Sequence, residues 1–218
     1  MLEALFSHFC HQMPERSFAL GPAVLPFCQR CTGVYLGAVA AALLWASCGQ
    51  RRRRAPPWPL AALNVLFILA MGFFGFDFIE TPPGIRYATG AVFGSAVVML
   101  AWPLVLAHLT ARERPRWSAS DVARYLLVLA ALVVGPPMLF HFVAAGCAGA
   151  RTLADVLAIL GLLGLALVLV LPNLLAAQFV VGSACRTGRS RPARRRLPLV
   201  LAIFACLLAA ELIVILRL

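Results

Sequence analysis

Six stretches of the chain run apolar for about the length a bilayer requires, and short polar tracts separate them. They fall at approximately 31–50, 58–77, 86–109, 125–145, 155–182 and 197–216. A spanning helix needs about 20 mostly apolar residues to cross roughly 30 Å of hydrocarbon. Each stretch is therefore predicted to be a transmembrane helix. The expected fold is all-α: a polytopic membrane bundle of about six helices. Residues 31–218 would form that bundle, and residues 1–30 an extracytoplasmic N-terminal segment folded onto its outer end.

The polar tracts orient the bundle. The first, third and fifth loops (Arg51–Arg54; Arg112, Arg114, Arg116 and Arg124; Arg186 to Arg196) hold 14 arginines against Glu113 and Asp121. Everything else holds 5 arginines against 6 acids. Arginine beside a helix end resists translocation, so the odd loops are expected in the cytoplasm and both termini outside. This places the protein as multi-pass in the cell (inner or plasma) membrane, with the lipid bilayer as its solvent.

Composition agrees. Apolar residues make up 62% of 218, and charged residues 12%. A soluble domain of this size needs more polar surface. The net charge of +11 could suggest nucleic acid, but all the basic residues are arginine and most lie in the short inter-helix tracts, so no nucleic-acid partner is expected. The first 28 residues lack the basic start and continuous apolar run of a cleavable signal peptide.

Glycine and proline mark packing. Gly33-x3-Gly37 and Gly90-x3-Gly94 allow two helix backbones to approach closely. Each follows an arginine and a threonine, in Arg30-Cys-Thr-Gly33 and Arg86-Tyr-Ala-Thr-Gly90, a weak internal repeat offset by one residue. Pro136-Pro137 and Pro172 should kink their helices and free backbone carbonyls, either for a ligand or for local partners.

The most specific chemistry is Cys10-His11 followed by Cys28-x2-Cys31. Two cysteines separated by two residues can grip one ion. Cys10 and His11 would complete a shell of three sulfurs and one nitrogen, as tetrahedral zinc prefers. Adjacent ligands diverge in regular structure, so His8 is a spare. Two other readings stay open: a Cys28–Cys31 redox pair, and a plain structural disulfide. Haem attachment is disfavoured, because Thr32 rather than histidine follows Cys31. Cys48, Cys185 and Cys206 read as small apolar residues.

The run Cys10-His-Gln12, Pro14-Glu-Arg-Ser-Phe18, then Cys28-Gln-Arg-Cys-Thr-Gly33-Val-Tyr-Leu-Gly37 resembles the signature of an uncharacterised prokaryotic membrane family catalogued as domain of unknown function 2085. The resemblance implies two further family positions, an aspartate matched by Asp77 and an Arg-x-x-Thr-Gly-x-x-x-Gly matched by Arg86, Thr89, Gly90 and Gly94. It spans about residues 6–95 and implies a site without naming a reaction.

Asp77, Glu80 and Arg86 flank Pro82-Pro83-Gly84 near the outer boundary. Charge at membrane depth is costly, so such groups usually face a bundle interior; the alternative is that they rest in the headgroup layer. They are the candidate catalytic residues, with Asp77 or Glu80 as base. Glu211 and His141 lie at comparable depth and could share a pocket under the cysteines. Asn64, Asn173 and Gln178 are the polar residues within the helices, more suited to interhelical hydrogen bonds than to a transport path. No phosphate-cradling loop, His-Glu-x-x-His or Gly-x-Ser-x-Gly is present. The expected function is an integral membrane protein with an outward zinc centre, as an enzyme on a lipid-linked or small-molecule substrate. A thiol-disulfide or quinone-type oxidoreductase and a small-solute or metal transporter are the alternatives, and a homo-oligomer remains open.

Overall fold

A computed structural model describes residues 6, 10, 12–47, 56–75, 81–109, 117–144, 149–184 and 200–209. They form a short 3-10 turn (Pro14–Arg16), a two-stranded hairpin and six helices. The hairpin joins β1 (Ser17–Leu20) to β2 (Ala23–Cys28), and the helices are α1 (Gln29–Ser47), α2 (Trp58–Gly75), α3 (Pro83–Leu109), α4 (Ala119–Ala144), α5 (Ala150–Ala184) and α6 (Val200–Ala209). Four of these, α1, α3, α4 and α5, are long and apolar enough to cross a membrane; α2 and α6 are shorter apolar helices. The protein is an all-α membrane bundle, with the hairpin as an addition that the hydrophobic pattern did not predict.

Glycine organises the centre. A methyl group at Gly33 would run into the Tyr87 carbonyl, and one at Gly37 into the Ala91 carbonyl. In return, a methyl at Gly90 would strike the Arg30 carbonyl, and one at Gly94 the Val34 carbonyl. Contacts advance together along both chains, so α1 and α3 run parallel. The two sets of contacts exchange under a shift of 57 residues, which carries Gly33 to Gly90 and Gly37 to Gly94. The weak repeat in the sequence is therefore a quasi-two-fold axis between two helices. Other positions obey it. Thr32 Oγ1 donates to the Cys28 carbonyl at 3.0 Å and Thr89 Oγ1 to the Ile85 carbonyl at 2.9 Å, and Trp45 corresponds to Trp102. Such close approach brings glycine Cα–H groups toward facing carbonyls, one of the few attractive forces between helices in lipid.

A third helix docks by the same device, with Gly164 of α5 lying against the backbone of Tyr35. Thus α1 is enclosed by α3 on one face and α5 on another. Over half of the α1 and α3 spans is buried (56% each), against 11% for α4, which turns most of its surface outward. Leu127, Val134, Met138 and Phe142 lie exposed along α4, as a lipid-facing helix requires.

Proline vacancies are filled locally. Pro136 has no N–H to offer the carbonyl four residues earlier, that of Leu132. Tyr87 Oη of α3 donates to that carbonyl at 3.1 Å, tying α4 to the glycine-packed pair. Deeper in the bundle, Tyr125 Oη donates to Asn64 Oδ1 at 2.6 Å, and Asn64 Nδ2 to the Leu60 carbonyl at 2.7 Å. Asn173 Nδ2 donates to Leu169 O and Gln178 Nε2 to Val105 O. Asn64 and Gln178 thus bond across helices, as expected for them, whereas the Asn173 bond to Leu169 stays within α5.

The hairpin turns at Gly21, whose φ of 60° suits the first position of a type II′ turn, with Pro22 in the second. β1 and β2 pair antiparallel, Leu20 opposite Ala23 and Ala19 opposite Val24, with an irregularity between Ser17 and Ala19. Alternation buries Leu25 and Phe27 of β2. The Phe27 ring fits over Gly161 of α5, where a methyl would lie 2.6 Å from it. On the other strand Phe18 packs on Phe140 of α4 at 4.6 Å between ring centroids. The hairpin is in this way seated on one end of the bundle, the end at which α1 and α3 begin.

Candidate metal centre

Three cysteine sulfurs meet at that end. The Sγ atoms of Cys10, Cys28 and Cys31 all lie within 4.8 Å of one another. Each is placed by a different element. Cys10 is tied back to Phe6, its N–H donating to the Phe6 carbonyl at 2.8 Å. Next in the described chain, Gln12 takes a positive φ of 47° and its Nε2 donates to the Pro26 carbonyl at 2.8 Å, which clamps this segment to β2. Cys28 closes β2 and caps α1, while Cys31 lies in the first turn of α1.

Electrostatics set one sulfur apart. Thiol hydrogen bonds from Cys10 and Cys31 and the backbone N–H groups of Cys31 and Arg30 bring the Cys28 thiol down to about 2. A thiolate at a helix start is favoured by the free N–H groups and the dipole there. The neighbouring Cys28 sulfur pushes the Cys10 thiol upward, although the Cys28 N–H donates to Cys10 Sγ at 3.1 Å. Of the three sulfurs, Cys28 is the one whose surroundings favour the thiolate. All three cysteines are free rather than disulfide-bonded.

The floor is aromatic and dry. Phe6 meets Phe27 at 4.8 Å, and Phe27 meets Tyr35 edge-on at 5.5 Å. Tyr35, one turn beyond Cys31 on α1, is 4% exposed. Sequence reasoning missed Tyr35; the signal available was the Cys31-x3-Tyr35 spacing, which stacks the two on one helix face. Gln12 and Gly161 were missed as well.

Of the other expected site residues, His11, His8, Asp77, Glu80 and Glu211 lie outside the described residues. Arg86 is half-buried in the first turn of α3. It shares the hairpin end with the cysteines but not their face of α1. At about 100° per residue Cys31 points some 200° away from Gly33, the residue in contact with α3. His141 is exposed on α4, not gathered into a pocket beneath the cysteines.

Fold and cluster together define a polytopic membrane protein with a three-cysteine site at one end. The sequence profile of the family described as Predicted membrane protein (DUF2085) matches residues 10–100, from the first cysteine to within α3. An uncharacterized protein of Methanothermobacter thermautotrophicus is 34% identical over 105 residues, 48% of this chain and 92% of that protein. An uncharacterized protein of Methanocaldococcus jannaschii is 39% identical over 44 residues, 20% of this chain and 28% of its own. The chain belongs to this predicted membrane protein family. No solved structure matches it.

Proposed function

We propose that the hairpin end carries a zinc centre on the extracytoplasmic side, held by Cys10, Cys28 and Cys31 with His11 as fourth ligand, in a membrane enzyme acting on a lipid-linked substrate. The observation that carries this reading is the meeting of three sulfurs from three elements within 4.8 Å. Zinc–sulfur bonds of about 2.3 Å in a tetrahedron put sulfurs roughly 3.8 Å apart, a spacing this cluster can reach with little movement. The thiolate at Cys28 and the N–H donated to Cys10 Sγ are the partners that metal-bound sulfurs need. The arginine-rich odd loops support the outward orientation, and with it a location in the cell membrane. In this reading Asp77 or Glu80 supplies the base.

A thiol oxidoreductase is the second reading, favoured by one observation: Cys28 stands at the start of α1 with Cys31 in the following turn, where free N–H groups lower the Cys28 thiol and favour a nucleophilic sulfur. Metal content of the detergent-purified protein by mass spectrometry, with free-thiol counting, separates the two. About one zinc per chain, lost in Cys28→Ser, is the expected result. No metal in the wild type, with Cys28 and Cys31 oxidised, overturns the zinc centre in favour of redox chemistry.

A further inference from the structure

The hairpin carries no charge and lies against the first turns of α5. Residues 17–29, between Arg16 and Arg30, include no charged side chain. At the turn, Gly21 lies beside the first residue of α5, where a methyl would stand 3.6 Å from the Ala150 Cβ. Near the other end of β2, the Phe27 ring covers Gly161. From Ala150 to Gly161 a helix rises about 16 Å, and from Gly21 to Phe27 a strand extends about 20 Å. β2 therefore runs alongside α5 rather than across its tip. β1 borders α4, where Phe18 rests on Phe140.

Both neighbouring helices mark the membrane boundary at this height. On α5, Arg151 and Asp155 are exposed, and no charged residue follows before the helix ends at Ala184. The next exposed side chains are Val156 and Ile159. On α4, exposed His141 follows Phe140, with Leu139 and Phe142 exposed on either side. Polar groups here give way to a lipid-facing apolar surface along both helices. The hairpin crosses the same height. Leu20, Leu25 and Phe27 are buried, while one cross-strand pair, Ala19 opposite Val24, is exposed. Val24 is 50% exposed. Open strand edges exclude the hairpin from the hydrocarbon itself. The interfacial layer accepts them, because water still reaches the backbone there. Pro22 and Pro26, moreover, have no N–H to satisfy.

We propose that the Ala19–Val24 edge of the hairpin is a lipid-contact surface, immersed at the boundary between headgroups and acyl chains. The bilayer is its occupant because the edge continues the lipid-facing surface of α4 and offers no charge to a polar partner. The inference stands whether or not a metal occupies the cysteines. The test uses the full-length protein in phosphatidylcholine–phosphatidylglycerol vesicles, with the photoreactive residue p-benzoylphenylalanine placed at Val24 and, separately, at Ala19. Phe142, on the outward face of α4, serves as the lipid reference, and Glu15, exposed and charged, as the water reference. After irradiation, peptide mass spectrometry identifies what each position has captured. Phospholipid adducts at Val24 and Ala19 are expected in yields comparable with Phe142 and severalfold above Glu15. Helicity equal to that of the wild type shows that each variant has kept its fold. A phospholipid yield at Val24 and Ala19 no higher than at Glu15 overturns the proposal. So does capture of another part of the chain, or of a second copy, in place of lipid, since the edge would then be a protein contact.

Discussion

The two faces of α1 follow opposite rules. Toward α3 it presents Gly33 and Gly37, with backbone meeting backbone and no room for one more carbon. On the other side it presents Cys31 and Tyr35, whose side chains hold a thiol cluster over an aromatic floor. Without a hydrophobic force between helices in lipid, the glycine face must supply association through close packing. That rigid pairing leaves the other face free to carry reactive groups at fixed spacing. Structure and chemistry are divided by helix face rather than by domain.

The largest expected effect breaks the glycine face. Gly90→Leu should abolish the folded bundle, and Gly90→Ala should cost about 1–3 kcal/mol through overpacking, read from the midpoint of detergent unfolding. Both should also lower metal content, because Cys28 and Cys31 take their places from α1. Changes on the cysteine face should leave helicity intact: Cys28→Ser is expected to reduce bound metal from about one per chain to nearly none, with an unchanged circular dichroism spectrum. Between the faces, Tyr87→Phe strands the Leu132 carbonyl beneath Pro136 and should cost about 0.6–2 kcal/mol of unfolding free energy. The comparison sharpens further with pH. A lowered thiol is ionised well below neutrality, whereas an ordinary one near 8.5 is under about 1% ionised at pH 6. In metal-free protein, iodoacetamide at pH 6 should therefore modify Cys28 ahead of Cys10, as read by peptide mass mapping. Smallest of all, Leu127→Ala on the outward face of α4 should shift stability by less than about 0.5 kcal/mol.

Much of this was legible along the chain. Apolar stretches separated by arginine tracts predict the helices, since lipid imposes length and composition alone. Cys10 and Cys28-x2-Cys31 predict the cluster, and the structure brings these three sulfurs together. The glycine pairs predict close approach but not that each is the other's partner; the clue was the repeated Thr-Gly-x3-Gly-x7-Trp, which ends at Trp45 and at Trp102. The hairpin was hidden because Pro22 and Pro26 and a four-residue β1 give a weak alternating signal. Arg86 was expected near the outer boundary; helix phase, which that position does not report, decides which face of α1 it stands nearest.

Parallel packing of α1 on α3 has a consequence for biosynthesis. The partner surface of Gly33 is encoded 57 residues downstream, beyond the whole of α2. At about 5–20 residues per second the ribosome needs several seconds to deliver it. Through that interval α1 stands in the membrane with its narrow glycine groove not yet filled by α3. The hairpin and the cysteines are already made by then, so a metal ion could be captured before the bundle closes.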